Sequence, residues 1–314
     1  MQIDRYKIES CKRMFDERYR HFIHQTPLLK LPGKALGVNC AEVWLKLEHL
    51  QTGGSFKARG MLNRLLSNPI PASGVIVASG GNAGIATAAA ARELGVRCEV
   101  FVPEISSAAK RARLAALGAQ VVVGGAAYAD ALQACLARQQ ETGALLTHAY
   151  DQPEVLVGAG TMALEIEAQG GLPDSVLVSV GGGGLIGGVA SWFGKRSRVV
   201  ALEPELAPAL FRAREAGRPV DVSVSGIAAD SLGARRIGSL AWEVTQAQVR
   251  DALLLSDESI RAAQLWLWKE LKLAVEPAAA LPLAALHSSR YAPRSDETVC
   301  LVICGANIDP ATLN

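Results

Sequence analysis

Long apolar runs, blocks of one charge and paired cysteines are all missing from this 314-residue sequence. No stretch of about 18 apolar residues occurs, and the opening segment MQIDRYKIESCKRMFDERYR is charged and lacks the apolar core of a signal peptide. The expectation is a cytoplasmic protein with no membrane partner. The 32 basic and 30 acidic residues are interleaved to a formal charge of +2, so no basic footprint for nucleic acid or lipid exists and the expected partner is a small molecule. The six cysteines, at positions 11, 40, 98, 135, 300 and 304, form no C-x-x-C pair and have no histidine pattern beside them. That argues against a zinc site and against a disulfide framework, leaving free thiols. Cys98 and Cys300 lie in apolar, strand-like runs and read as small buried hydrophobes. No internal repeat with a fixed period and no low-complexity linker is found.

Half the residues are apolar and a fifth are charged, the balance of an ordinary globular chain with one large core or two modest ones. From residue 74 short apolar runs alternate with alanine-rich helical segments. Val75 to Ser79 reads as a strand followed by a helix from Asn82 to Leu94, and Cys98 to Pro103 by a helix from Ser106 to Leu117 that stops at Gly118. Gln120 to Val123 precedes a helix from Ala126 to Gln140. A second series follows: helix Glu154 to Ala168, strand Ser175 to Val180, helix Ile186 to Phe193 and strand Arg198 to Leu202. The last elements are strand Leu253 to Leu255, a helix from about Glu258 to Lys272 entered at Ser256 or Asp257, a helix from Pro277 to His287, and strand Thr298 to Ile303. Strand–helix alternation predicts an α/β fold with parallel sheets, and a chain near 300 residues predicts two lobes, the larger one discontinuous.

Four loops carry unusual chemistry, three of them at the ends of these strands, where ligands bind in open parallel sheets. In Thr52-Gly-Gly-Ser-Phe-Lys-Ala-Arg-Gly60, Lys57 sits at a helix start, where the positive end of the dipole favours its neutral amine. Taken alone it would read as a solvated surface lysine. Ser79-Gly-Gly-Asn-Ala-Gly84 offers backbone amides to an anion such as a substrate carboxylate, with the Asn82 amide beside them; a plain glycine turn is the alternative. Gly181-Gly-Gly-Gly-Leu-Ile-Gly-Gly188 follows a strand and precedes a helix, the arrangement of a phosphate cradle. It lacks the lysine of a P-loop, although the glycines and Glu203 can be forced towards a dinucleotide fingerprint, which keeps a nucleotide-binding oxidoreductase as an alternative. Val302-Ile-Cys-Gly-Ala-Asn307 places Cys304 at the carboxyl end of the last strand, as a core thiol or one facing a ligand.

In this order, with Thr26-Pro-Leu-Leu29, Val43-Trp-Leu-Lys-Leu-Glu48 and Val275-Glu-Pro277, the motifs resemble the fold-type II pyridoxal-phosphate enzymes, most closely the threonine/serine dehydratase and serine racemase group. The resemblance covers nearly the whole chain. It implies two open parallel-sheet α/β domains of the tryptophan synthase beta-like kind, residues 1–70 and 149–314 forming the large one and 71–148 the small one, with pyridoxal 5'-phosphate in the cleft between. It implies that Lys57 holds the cofactor as a Schiff base, that Phe56 packs against the ring and that Asn82 bonds its phenolic oxygen. The amides of Gly181, Gly182, Gly183, Gly184 and Leu185 would hold the phosphate, and Cys304 would face the ring nitrogen where a serine is common. Ser79, Gly80, Asn82 and Ala83 would receive the substrate, with Glu276 as a pocket glutamate or merely a helix-start carboxylate. The implied reaction is loss of the β-hydroxyl of serine- or threonine-like amino acids to give a 2-oxo acid and ammonia, in a homodimer.

Three departures qualify the resemblance. Racemases of the group carry a serine where this chain has Gly80, and glycine donates no proton, so elimination is favoured over racemisation. The cation motif of some members ends in an aspartate where this chain has Ala209, so no metal is expected, and Glu203 reads as readily as a strand-end carboxylate. The chain ends soon after Cys304, leaving no room for an amino-acid-sensing domain. A racemase, or a dehydratase for a bulkier 3-hydroxy amino acid, remains the alternative within the family.

Overall fold

The structure, a computed structural model, describes residues 3–313. Among these residues the strands form two sheets. In chain order the strands are β1 (Leu28–Pro32), β2 (Glu42–Lys46), β3 (Val75–Ala78), β4 (Cys98–Val102), β5 (Gln120–Val123), β6 (Leu145–Leu146), β7 (Ser175–Ser179), β8 (Arg198–Pro204), β9 (Asp251–Leu255) and β10 (Thr298–Val302). One sheet runs β1-β2-β10-β7-β8-β9 and the other β5-β4-β3-β6. Every pairing is parallel except β1 with β2, an antiparallel edge (Leu28 opposite Lys46) that strand–helix alternation did not foresee. β3 and β7 are buried along their whole length, which is why they read as unbroken apolar runs instead of alternating ones.

The helices are α1 (Arg5–Arg18), α2 (Lys57–Leu66), α3 (Asn82–Glu93), α4 (Ala108–Ala116), α5 (Tyr128–Thr142), α6 (Pro153–Gly170), α7 (Gly184–Phe193), α8 (Ala209–Ala216), α9 (Ala229–Leu232), α10 (Ser239–Gln248), α11 (Asp257–Leu271) and α12 (Pro277–His287). Local chemistry sets several starts. α4 begins two residues later than Ser106 because the Ser107 side chain accepts from the Lys110 amide, and α5 begins at Tyr128 because Asp130 accepts from the Ala127 amide. Ser256 caps α11, and Pro277 opens α12 at the position where its missing N–H costs nothing. No described helix is long and apolar enough to cross a membrane.

α6 carries α2 and α7, and with them the two loops that matter most. It can do so closely only because of glycines. A Cβ on Gly158 of α6 would lie 2.4 Å from the Arg59 carbonyl of α2, and one on Gly188 of α7 would lie 2.4 Å from the Leu156 carbonyl. Beneath α2 lies a buried ionic knot. Arg59 donates through Nε and Nη2 to Glu48 and through Nη1 and Nη2 to Glu165, all at 2.8 Å, while Lys46 Nζ donates to Glu165 at 2.8 Å. All four side chains are at most 1% exposed, so each charge is tolerated only through its partners. Leu62 and Leu65 of α2 are buried in the apolar core, each adding roughly 1.5–3 kcal/mol.

Candidate active site

The carboxyl ends of β3, β7 and β10 and the first turn of α2 converge on one cavity of about 570 Å³. Lys57 is the first residue of α2, and its Nζ donates to the Ala149 carbonyl at 2.5 Å and lies 5.1 Å from the centre of the Phe56 ring. Burial lowers the amine to about 8, against the opposing pull of Cys304 and Glu276. The Phe56 amide donates to the Cys304 carbonyl, and Ser55 bridges to Gly305, so the loop after β10 fixes the entry to α2.

Two helices present uncapped N-termini to this cavity. α7 follows Gly183, whose φ of 90° is the left-handed conformation that glycine adopts without strain; no side chain caps the helix and its first turn holds no acid. The amides of Gly184 and Leu185 therefore remain available to an anion. Tight packing fixes the loop, since a Cβ on Gly182 would meet the Tyr150 ring at 2.3 Å. α3 starts at Asn82 after Gly81, again with no side-chain cap, and Ser79, Gly80 and Ala83 line the cavity around its end. A Cβ on Gly80 would lie 3.2 Å from the Ser106 hydroxyl and 3.3 Å from Val102.

Glu276 precedes α12 but leaves that helix uncapped. Its carboxylate instead accepts from Asn82 Nδ2 at 3.0 Å on both oxygens. Burial raises it to about 7, which the Asn82 amide and a backbone amide partly offset. Of the two readings of Glu276, the pocket one fits. Cys304 is 2% exposed, and burial together with the Glu276 charge pushes its thiol well above the ordinary range, so it stays neutral. All the residues singled out by the motifs, Phe56 and Lys57, Ser79 to Ala83, the glycine loop with Leu185, Glu276 and Cys304, thus line a single cavity. Glu203 lies elsewhere: it accepts from the Leu210 and Phe211 amides at 2.7 Å, capping α8, and burial raises it to about 8.

Motif reading missed the turn between β6 and α6. There Ala149 receives Lys57, the Tyr150 ring packs on Gly182, and Asp151 accepts from the Ser239 and Leu240 amides at the start of α10. It also missed Ser106, Tyr128 and Lys110 on the cavity wall, where Lys110 pairs with Asp230. None belongs to a local pattern, and only the fold brings them together.

Residues 19–305 match the sequence profile of the family described as pyridoxal-phosphate dependent enzyme. This chain belongs to that family. As a member, it is 36% identical over 308 residues to an L-threonine ammonia-lyase of Geobacter sulfurreducens, covering 95% of this chain and 75% of the relative. It is 33% identical over 308 residues to a phenylserine dehydratase of Ralstonia pickettii, covering 94% and 91%. Among solved structures, maize serine racemase superposes with a TM-score of 0.91 at 28% identity, covering 100% of this chain and 96% of that one. The cavity suits the family's cofactor in its own chemistry: an aldehyde needs an amine that is easily deprotonated, and a phosphate needs backbone amides at a helix start with no competing carboxylate.

Proposed function

We propose that this chain is an ammonia-lyase that removes the β-hydroxyl of serine- or threonine-like amino acids, giving a 2-oxo acid and ammonia. The observation that carries the proposal is the pairing of one easily deprotonated amine, Lys57, with two uncapped helix starts on the same cavity. Lys57 would hold pyridoxal phosphate covalently, the amides of Gly181 to Leu185 its phosphate, Asn82 its phenolic oxygen and Cys304 its ring nitrogen, with Phe56 beside the ring. When bound, the cofactor supplies an electron sink for the bonds at the substrate α-carbon.

The remaining chemistry belongs to the chain. The α3 start, with Ser79, Gly80, Asn82 and Ala83, binds and orients the substrate carboxylate. Lys57 Nζ, freed once the substrate amine takes its place, would accept the α-proton and return a proton to the β-hydroxyl as it leaves as water, and the released enamine is hydrolysed to the 2-oxo acid and ammonia. A neutral Cys304 thiol donates only weakly and would give the ring nitrogen no strong proton donor, which favours prompt elimination. Gly80, on the same cavity wall, has no side chain with which to move a proton.

One observation favours a second reading: the Ser106 hydroxyl stands beside the vacant Gly80 position and could deliver a proton there, giving some racemisation. A Ser106→Ala variant separates the two, abolishing any D-amino acid formation while leaving ammonia release in place. The broader test screens the purified chain for ammonia release from serine, threonine, 3-hydroxyaspartate, phenylserine and their D forms, with and without a divalent cation. Ammonia from at least one L-hydroxy amino acid is expected; none from any would overturn the proposal.

The same reading includes a small domain over residues 71–148, supported by the separate sheet β5-β4-β3-β6, and a homodimer in the cytosol. Light scattering of the purified chain tests the dimer.

A further inference from the structure

Asn307, beyond β10, has no part in the roles above, yet it joins both sheets' elements at the cavity. Its Oδ1 accepts from Arg113 Nη1 of α4 at 2.5 Å, and its Nδ2 donates to the Gly53 carbonyl at 2.9 Å and to Asn82 Oδ1 at 2.5 Å. A guanidinium only donates and a backbone carbonyl only accepts, so these partners fix which end of the Asn307 amide is which. The assignment passes inward. With its Oδ1 occupied by Asn307, Asn82 must turn Nδ2 towards Glu276, where it donates to both carboxylate oxygens. The Asn307 backbone amide donates to Glu276 as well. The fit is close, because a Cβ on Gly54 would lie 2.7 Å from Asn307 Oδ1.

Asn82 and Arg113 ride on helices packed with the four-stranded sheet, whereas Gly53, Asn307 and Glu276 belong to segments of the other. We propose that Asn307 is a positioning residue that sets the orientation of the Asn82 amide, and through it the hydrogen bonds to Glu276, only while α3 and α4 rest against the Gly53 turn. The inference rests on the cavity being the cofactor site, but not on which amino acid is turned over.

The consequence is electrostatic. Glu276 faces Lys57 from α2, Asp230 from α9, Cys304 from beyond β10 and Asn82 from α3. Two N–H contacts from Asn82 favour its charged form; a reversed amide would present a carbonyl oxygen and favour the protonated acid. Losing Asn307 frees Asn82 to reverse.

The test uses holoenzyme and reads the pH dependence of the cofactor's visible absorbance, which needs no substrate, beside kcat and KM. Asn307→Leu keeps the volume, adds no charge and removes every side-chain hydrogen bond. It is expected to move an absorbance midpoint upward by about one unit, tenfold in proton affinity, and to lower kcat more than KM changes. Arg113→Ala, at an exposed position, is expected to shift it in the same direction by less, and it decides the matter if Asn307→Leu fails to fold. Arg138→Ala on α5, far from the cavity, is the unchanged control. Midpoints in the folded variants that coincide with the wild type would overturn the proposal. Absence of ammonia release with shifted midpoints would instead overturn only the proposed reaction.

Discussion

The Lys57 amine is held at about 8 chiefly by burial, so at neutral pH a useful fraction is deprotonated without a dedicated base beside it. Removing it in Lys57→Ala is expected to abolish turnover and the visible absorbance of bound cofactor, measured on purified protein after incubation with pyridoxal phosphate. Gly183→Ala tests the anion cradle differently. It imposes a side chain at φ 90° and places a Cβ 2.4 Å from that of Ala241, so a loss of about 1–3 kcal/mol in stability and weakened cofactor retention are expected in thermal unfolding and dialysis. Gly80→Ser is milder, because its nearest neighbours, at 3.2–3.3 Å, are a hydroxyl and a methyl that need give only a few tenths of an ångström. The added hydroxyl is expected to raise the ratio of D-serine formation to ammonia release from L-serine, read by chiral chromatography.

At the scale of elements, α2 is held by the knot of Arg59, Lys46, Glu48 and Glu165 more than by its own propensity. Arg59→Leu strips Glu48 of its paired cation and leaves Glu165 with Lys46 at 2.8 Å and Lys12 at 3.9 Å, and a loss of roughly 3–5 kcal/mol in urea unfolding is expected. Sequence reading saw the strands whose both faces are buried, because β-branched runs such as Val75–Ala78 have no other use, and the helices with strong starts such as Pro277. It did not see β6, two residues long, or α9, four residues long, since neither spans a period. The motif residues were legible because each loop combines glycine with one reactive or polar side chain. Tyr150 was not, and Asn307 was visible only as the end of a motif without a role, because their importance comes from what they meet across the fold: a glycine 32 positions away for one, and Asn82 for the other.

Across the whole molecule, both sheets point their carboxyl ends into one cavity, which concentrates buried ionisable groups there and makes stability depend on pH. Glu276 is raised to about 7 from an ordinary 4.5, so the stability it contributes is complete below about 4.5 and is lost as pH rises through 7. Compared with Glu276→Gln, the unliganded wild type is expected to lose on the order of 2–3 kcal/mol between pH 5 and 7.5 in urea unfolding. Glu165 behaves oppositely. Although burial pushes it up, Arg59 and Lys46 together hold it below 4.5, and its contribution is lost as pH falls into the acid range.

The central claim is that Lys57 drives β-elimination from a hydroxy amino acid. The most direct measurement is the stoichiometry of ammonia to 2-oxo acid formed from L-threonine and L-serine by the wild type and by Lys57→Ala. Equal amounts of the two products from at least one substrate are expected with the wild type, and neither product with the variant. Turnover that survives in Lys57→Ala, or wild-type enzyme that forms only the D enantiomer and no 2-oxo acid, would contradict the claim.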